Sequence, residues 1–310
     1  YLFRINLSHT PIELLAETIQ KIQSWTNVPI CLDSEGAQLR NHEMDGETVY
    51  FEAGGKVQIH FHRVCGNKEH LSFTPLNMTK YFEPGDRIKV DFNGAEFEIV
   101  ERTSSECVAK VITSGNVGSN KAADMNRALP FNPITQKDSE AINIGLQHKI
   151  EYFALSFANR ALDVQQMRNL CGDGSKLICK IESRDGVRNL EEILKEADEI
   201  LVDRGDLSRQ VELHKIPMLQ RLIISTANKA RKPVYVATNL LEGMIANTSP
   251  TRAEVNDVVS TLMMGANGLV LAAETAIGNY PSEAVKMTRL LIDQVAEWEP
   301  GLTIKGLLNE

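Results

Sequence analysis

Short apolar runs alternate with amphipathic segments along most of the chain, which is the pattern of strands followed by helices. In chain order the predicted strands are 2–8, 28–33, 152–156, 177–182, 200–202, 234–237 and 268–272. The predicted helices are 11–25, 161–171, 189–197, 215–230, 251–265 and 282–298, the fifth beginning at a capping box, Thr251-Arg-Ala-Glu254. Apolar strands in strand–helix units of this length predict a parallel sheet covered by helices.

Residues 42–127 interrupt this pattern with short β-type runs and no long helical periodicity. Turn dipeptides such as Gly54-Gly55 and Pro84-Gly85 separate the runs. We therefore predict an inserted β-barrel domain over 42–127, between a first part of the α/β domain, 1–41, and a second part, 128–310.

Composition excludes some classes of partner. The chain has 310 residues, of which 43% are hydrophobic and 24% charged, with a formal net charge of −8. This charge gives no general attraction to nucleic acid or to an anionic membrane, so a phosphate ligand must be held by local cations. No apolar run reaches the roughly 18 residues of a membrane span. Five scattered cysteines are typical of free thiols in a reducing compartment, which predicts a cytoplasmic protein.

Polar side chains collect where the predicted strands end. Lys180 and Glu182 leave one face of a strand at its carboxyl end, Asp206 follows the next strand, and Asp33 ends an earlier one. A cation beside carboxylates suits a divalent-metal and phosphate site, although each fragment taken alone also fits a surface ion pair. Neither GxGxxG nor GxxxxGK[ST] occurs, which favours a (β/α)₈ barrel over an open nucleotide-binding sheet.

Short motifs in a single order along the chain identify a relationship. They are Arg4-Ile-Asn-Leu-Ser-His9, Leu32-Asp-Ser-Glu-Gly36, Lys180-Ile-Glu182, Arg204-Gly-Asp-Leu207, Ala237-Thr-Asn-Leu-Leu-Glu242, Pro250-Thr-Arg-Ala-Glu254 and Asn279-Tyr-Pro281. The chain resembles the pyruvate kinase family. The resemblance implies a (β/α)₈ TIM barrel with an inserted small all-β lid domain. It also implies that the first barrel strand precedes Tyr1 and that the C-terminal effector domain is absent.

The family reaction is a step of glycolysis: phosphoenolpyruvate transfers a phosphoryl group to ADP, and the enolate is then protonated to pyruvate. By resemblance, Glu182 and Asp206 would hold Mg²⁺ or Mn²⁺, and Lys180 would neutralise charge on the phosphoryl group. Backbone N–H groups of Gly205 and Asp206 would bind the substrate carboxylate. Thr238 would orient the proton delivered to the enolate.

The resemblance extends to two further groups of residues. Arg4 would reach the phosphates and act in catalysis with Lys180 and Thr238. A K⁺ site would consist of Asn6, Ser8, Asp33 and Ser34. The nucleotide would be bound by Arg4, Asn6, His9, Arg40 and Lys121.

Several residues depart from the family pattern. Glu35 and Ile277 stand where Lys is usual, Gln38 where Glu is usual, and Asp203 where Ala is typical. The Ile277 change weakens the case for ordinary ADP binding, and Gln38 leaves the K⁺ requirement open. Two alternatives therefore remain: an enzyme of the same fold acting on phosphoenolpyruvate or a 2-oxo acid without ADP, and a non-catalytic relative. A monomer and a homo-oligomer are both compatible with the sequence.

Overall fold

A computed structural model describes residues 1–91, 94–299 and 301–307. The strands are β1 (Phe3–Asn6), β2 (Ile30–Asp33), β3 (Leu39–Asn41), β4 (Thr48–Phe51), β5 (Lys56–His60), β6 (His70–Thr74), β7 (Arg87–Val90), β8 (Glu96–Arg102), β9 (Glu106–Thr113), β10 (Gly115–Gly118), β11 (Ala122–Met125), β12 (Tyr152–Leu155), β13 (Lys176–Ile181), β14 (Glu199–Asp203), β15 (Val234–Ala237) and β16 (Gly268–Val270). The helices are α1 (Ile12–Trp25), α2 (Gln136–Gln147), α3 (Ala161–Cys171), α4 (Arg184–Arg188), α5 (Leu190–Glu196), α6 (Arg204–Gln210), α7 (Ile216–Lys229), α8 (Arg252–Met263), α9 (Ala273–Ala276), α10 (Pro281–Ala296) and α11 (Ile304–Leu307).

The chain divides into two compact units. The first unit comprises residues 1–35 and 137–310, and the second comprises residues 36–136. The second unit therefore lies within the sequence of the first.

The first unit contains a parallel sheet with the strand order β1-β2-β12-β13-β14-β15-β16. Each neighbouring pair is parallel, as the strand–helix alternation predicts. Helices α3 and α7 contact β12–β15, and one buried cluster takes apolar side chains from successive strands, including Cys31, Ala154, Ile178, Leu201 and Tyr235. Seven parallel strands and mixed α/β content match the prediction, but the described residues show no pairing between β16 and β1 that would close the sheet. The eight-stranded barrel therefore stays a prediction.

The second unit contains a closed barrel with the strand order β11-β3-β6-β5-β9-β8-β7, while β4 and β10 form a separate pair. Its interior is apolar and includes Phe51, Phe73, Phe82 and Phe97. The predicted limits, 42 and 127, lie inside the observed ones, 36 and 136. The earlier start follows from pairing of β3 with β6 and β11, and the later end follows because Leu129 and Phe131 pack against this core.

Some helix and strand boundaries agree with the prediction and others do not. Helix α3 and strand β15 have the predicted limits, and Thr251 caps α8 with the reciprocal Glu254 contact of a capping box. Helix α2 was not predicted, because its buried positions include Asp138 and Gly145 as well as apolar residues. Within the described residues, no helix is long and apolar enough to cross a bilayer. All five cysteines carry free thiols.

Candidate active site at the carboxyl ends of the parallel strands

Candidate functional side chains from four strands lie at one edge of the parallel sheet. Asp33 ends β2, Lys180 lies near the end of β13, and Asp203 ends β14. Glu182 and Thr238 directly follow β13 and β15. Because all these strands are parallel, their carboxyl ends share one edge, which is where α/β proteins bind ligands.

Lys180 is a buried cation held between two carboxylates. Its Nζ lies 3.4 Å from Asp33 Oδ2 and 3.3 Å from Glu182 Oε2. Burial alone would lower the pKa of Lys180, but the carboxylates of Asp33 and Glu182 outweigh burial and raise that pKa above the ordinary lysine value. The site therefore carries a fixed positive charge on a lysine that is 6% exposed.

Asp33 is bound by two cations. Arg4 Nε lies 2.6 Å from the Oδ2 that also faces Lys180. Burial alone would raise the pKa of Asp33, but Lys180 and Arg4 hold that pKa below its usual range. The carboxylate in turn raises the pKa of Arg4 against the effect of burial. Asp33 is therefore an ionised anchor that fixes the positions of both cations.

Glu182 is fully buried and only half satisfied. Its Oε1 accepts a hydrogen bond from the Phe157 N–H at 2.7 Å, whereas Oε2 has no hydrogen-bond partner. The 3.3 Å separation between this Oε2 and Lys180 Nζ is an ion pair without hydrogen-bond geometry. Burial, aided by Asp206, raises the pKa of Glu182 despite the nearby ammonium. A buried carboxylate oxygen without a partner is costly unless a ligand completes it.

Glu182 is one of three carboxylates that lie close together. One ligand oxygen each from Glu182, Asp203 and Asp206 lies within 4.8 Å of the others. Asp206 also forms an ion pair with Arg209 at 3.1 Å. An all-oxygen donor set with an orphaned buried member fits a hard divalent cation such as Mg²⁺ or Mn²⁺.

Thr238 follows β15 in a strained backbone conformation. Its φ is 76°, and that of Asn239 is 55°, both in the left-handed region that β-branched residues avoid. Arg204 holds this turn by donating from Nη2 to the carbonyl oxygens of Thr238 at 2.6 Å and Asn239 at 3.0 Å. A Cβ on Gly205 would lie 2.8 Å from Thr238 Cγ2, so a glycine is required there. The Thr238 hydroxyl is thus fixed beside the Gly205 N–H.

Ser156 belongs to the site, although the sequence analysis did not single it out. It directly follows β12, its hydroxyl lies 3.0 Å from Lys180 Nζ, and it donates to the Ser34 carbonyl at 2.7 Å. Its N–H donates to Ser34 Oγ at 2.8 Å. The rule that polar residues at strand ends form the site, applied to the strand 152–156, would have identified this serine.

Replacing Ser156 by Ala should lower the free energy of unfolding by about 1–3 kcal/mol, because the buried Lys180 ammonium and Ser34 carbonyl each lose a partner. Urea denaturation of both proteins measures the difference. Ser24→Ala, which removes an exposed hydroxyl on α1, is the matched control and should change stability by less than about 0.5 kcal/mol. Equal stability of Ser156→Ala and the parent protein would show that the network does not depend on this hydroxyl.

The expected K⁺ site takes residues from two neighbouring strands, and the side chains of Asn6, Asp33 and Ser34 contact protein groups. Asn6 is opposite Asp33 in the β1–β2 register, and its Oδ1 accepts from the Ser8 N–H at 3.0 Å. Ser34 Oγ accepts from Ser156, and Ser8 is exposed. The K⁺ site stays a prediction.

The expected nucleotide-binding residues fall in both units. Arg4, Asn6 and the exposed His9 belong to the first unit, whereas Arg40 and Lys121 belong to the second. Arg40 Nη1 donates to the Asn120 carbonyl at 3.0 Å, and Lys121 lies 3.6 Å from Asp91. Their nucleotide-binding role stays a prediction.

Comparison with known proteins gives consistent matches. Residues 1–285 match the family model described as the barrel domain of pyruvate kinase. A curated pyruvate kinase from Geobacillus stearothermophilus is 34% identical over 295 residues, which cover 91% of this chain and 50% of that protein. The pyruvate kinase of Thermotoga maritima is 34% identical over 294 residues, covering 92% of this chain and 63% of that protein. The pyruvate kinase of Staphylococcus saprophyticus is 32% identical over 298 residues, covering 92% of this chain and 51% of that protein. The chain thus spans between 50% and 63% of the length of these relatives.

Proposed function

Because the chain belongs to the pyruvate kinase family, we propose that it is a metal-dependent phosphotransferase that moves a phosphoryl group from phosphoenolpyruvate to ADP, giving pyruvate and ATP. One observation carries the proposal: the buried ammonium of Lys180 lies 3.3 Å from a Glu182 oxygen that accepts no hydrogen bond, and the carboxylates of Asp203 and Asp206 are close to that of Glu182. A catalyst of phosphoryl transfer acts mainly through positioning and electrostatics, and this arrangement supplies both.

Glu182 and Asp206 are the residues proposed to hold Mg²⁺ or Mn²⁺. The support is the donor set: hard carboxylate oxygens, with Glu182 contributing a buried oxygen that accepts no hydrogen bond. A dication bound there would draw negative charge away from phosphoryl and enolate oxygens. The chain's own contribution is to keep the Glu182 carboxylate buried beside a lysine whose position Asp33 and Ser156 fix.

Lys180 is proposed to neutralise charge on the phosphoryl group as it leaves the substrate. The support is its raised pKa and its low exposure, because an ammonium in a dry site interacts more strongly with an anion than an exposed one does. Arg4, 25% exposed at its side chain and braced by Asp33, is proposed to contact the phosphates as a second cation. Bidentate N–H groups make a guanidinium well suited to that contact.

The substrate carboxylate is proposed to bind the N–H groups of Gly205 and Asp206, with the Thr238 hydroxyl as a further donor that orients the proton delivered to the enolate. The support is the fixed placement of Thr238, whose left-handed backbone is clamped by Arg204. A donor held in place before the substrate arrives does not have to be ordered during the reaction.

The nucleotide side is less well supported, and this favours a second candidate function. Ile277, where the family usually has Lys, is 78% exposed, so an apolar side chain faces solvent where a cation is expected. Glu35 places a negative charge where the family usually has the positive charge of Lys, and it forms an ion pair with Lys137, whose Nζ lies 3.1 Å from Glu35 Oε2. A phosphoenolpyruvate or 2-oxo-acid enzyme without ADP is therefore the second candidate. Binding of K⁺, ADP and ATP stays a prediction, as does assembly into a homo-oligomer.

The test is pyruvate formation from phosphoenolpyruvate with Mg²⁺ or Mn²⁺, followed as NADH oxidation by lactate dehydrogenase, with ADP present and then omitted. We expect pyruvate only when ADP is present. Turnover without ADP would overturn the kinase assignment in favour of the second candidate. No turnover with either metal would indicate a non-catalytic relative.

A further inference from the structure

The carboxylate of Asp203 occupies two hydrogen-bond donors of the site. A single oxygen, Oδ1, accepts from the Thr238 hydroxyl at 2.7 Å and from the Gly205 N–H at 3.1 Å. Asp203 is 9% exposed, so these bonds form in a largely dry environment where they are strong. The same chain supplies both the donors and the carboxylate that they bind.

The backbone that carries the two donors is held by contacts other than those of the Asp203 side chain. Thr238 is held in its left-handed conformation by the Arg204 contacts to its own carbonyl and to that of Asn239. Arg204 is itself anchored by Asp257, whose Oδ2 lies 2.7 Å from Nη1. Gly205 has no room for a side chain against Thr238. If the Asp203 side chain moved away, the Thr238 backbone and its close approach to Gly205 would therefore remain, which keeps the hydroxyl and the N–H near each other.

A ligand carboxylate and the Asp203 carboxylate cannot use these donors together. Each donor carries one hydrogen, and both hydrogens are directed at Asp203 Oδ1. A second carboxylate brought to the same point would also face the negative charges of Asp203, Glu182 and Asp206.

We infer that Asp203 is an internal competitor for the substrate carboxylate, a specificity-determining residue that must turn away before a carboxylate ligand can bind Gly205 and Thr238. The inference rests on the proposed function, because it takes these donors as the site of the substrate carboxylate. It predicts weak binding of phosphoenolpyruvate and pyruvate by this chain and tighter binding once the internal carboxylate is removed.

The experiment is isothermal titration calorimetry of phosphoenolpyruvate and of pyruvate, with saturating Mn²⁺ and without ADP. Asp203→Ala should bind both ligands about 10–100-fold more tightly than the parent protein, the range expected when a competitor held by charge-assisted hydrogen bonds is removed. Asp203→Asn keeps an acceptor for the Gly205 N–H and should therefore fold even if Asp203→Ala does not. Its gain in affinity should be smaller than that of Asp203→Ala. Asp293→Ala on α10 makes the same change in net charge away from the site and should leave affinity unchanged.

A double variant separates competition for the donors from simple relief of charge repulsion. Adding Thr238→Val to Asp203→Ala removes one of the released donors, so most of the gain should disappear if it arises through them. A gain that survives Thr238→Val, or an affinity for Asp203→Ala that equals or falls below that of the parent protein, would overturn the inference. The parent protein could turn over phosphoenolpyruvate with ADP while Asp203→Ala binds phosphoenolpyruvate and pyruvate no more tightly than the parent. In that case the proposed function stands and the inference is wrong. Tighter binding in a protein that forms no pyruvate would support the inference and remove the kinase function.

Discussion

Lys180→Met is expected to lower the rate of pyruvate formation by about 10²–10³-fold, the usual cost of losing one preorganised electrostatic contact. Met keeps the length and apolar stem of the side chain but removes the ammonium that lies between Asp33 and Glu182. The phosphoryl group would then lose a cation that burial keeps from being screened by water. Steady-state kinetics with phosphoenolpyruvate, ADP and Mg²⁺ measure the effect, which should fall mainly on kcat.

The same substitution should also cost stability, which has to be measured separately. Asp33 retains Arg4 as a partner, whereas Glu182 loses its nearby cation. Breaking a buried ion pair by removing one member typically costs about 3–5 kcal/mol. Assays are therefore run well below the melting temperature of the variant. Lys195→Met, which removes an exposed lysine on α5, controls for the loss of one positive charge. Full activity in Lys180→Met would remove this lysine from the chemistry.

Glu182→Gln is expected to abolish the stabilisation of the protein by Mn²⁺. A ligand at 100 times its dissociation constant stabilises a protein by about 2.7 kcal/mol, which for a chain of this size raises the melting temperature by about 5 °C. The amide preserves the shape of the side chain and offers one neutral oxygen in place of the carboxylate. The amide also removes the negative charge opposite Lys180, so the metal-free variant should melt at a lower temperature than the parent protein. The quantity that tests the site is therefore the Mn²⁺-induced shift within each protein.

Thermal melts of the parent protein and of Glu182→Gln, each with and without Mn²⁺, measure the loss of stabilisation by the metal. Glu191→Gln on α5 removes an exposed carboxylate outside the cluster and should keep the whole shift. A Glu182→Gln protein that still gains about 5 °C with Mn²⁺ would show that the ion binds elsewhere.

The placement of the site followed from local sequence rules. Side-chain alternation in β13 put Lys180 and Glu182 on one face, and parallel pairing brought the ends of β2, β13 and β14 to one edge. The 3.3 Å contact between Lys180 and Glu182 agrees with that reasoning. These features depend on a two-residue period and on strand direction, both of which can be read from a single sequence.

Other features depend on contacts that a single sequence does not encode locally. The left-handed conformation of Thr238 is held by Arg204, which is distant in sequence. Asp203 was recognised as an unusual charge, but its bond to Thr238 requires β14 and β15 to be neighbours. Helix α6 was missed because Arg204-Gly-Asp resembles a turn after a strand, whereas the Asp203 side chain caps a helix there by accepting from Gly205.

The most direct test of the central claim is anomalous diffraction from crystals grown with Mn²⁺ and phosphoenolpyruvate. The claim is that Lys180, Glu182 and Asp206 converge around a bound dication that faces the substrate. It predicts one strong manganese peak about 2.0–2.6 Å from oxygens of Glu182 and Asp206, with the Lys180 ammonium directed at the ligand. A peak elsewhere, or no peak at these carboxylates while the ligand is bound, would contradict it.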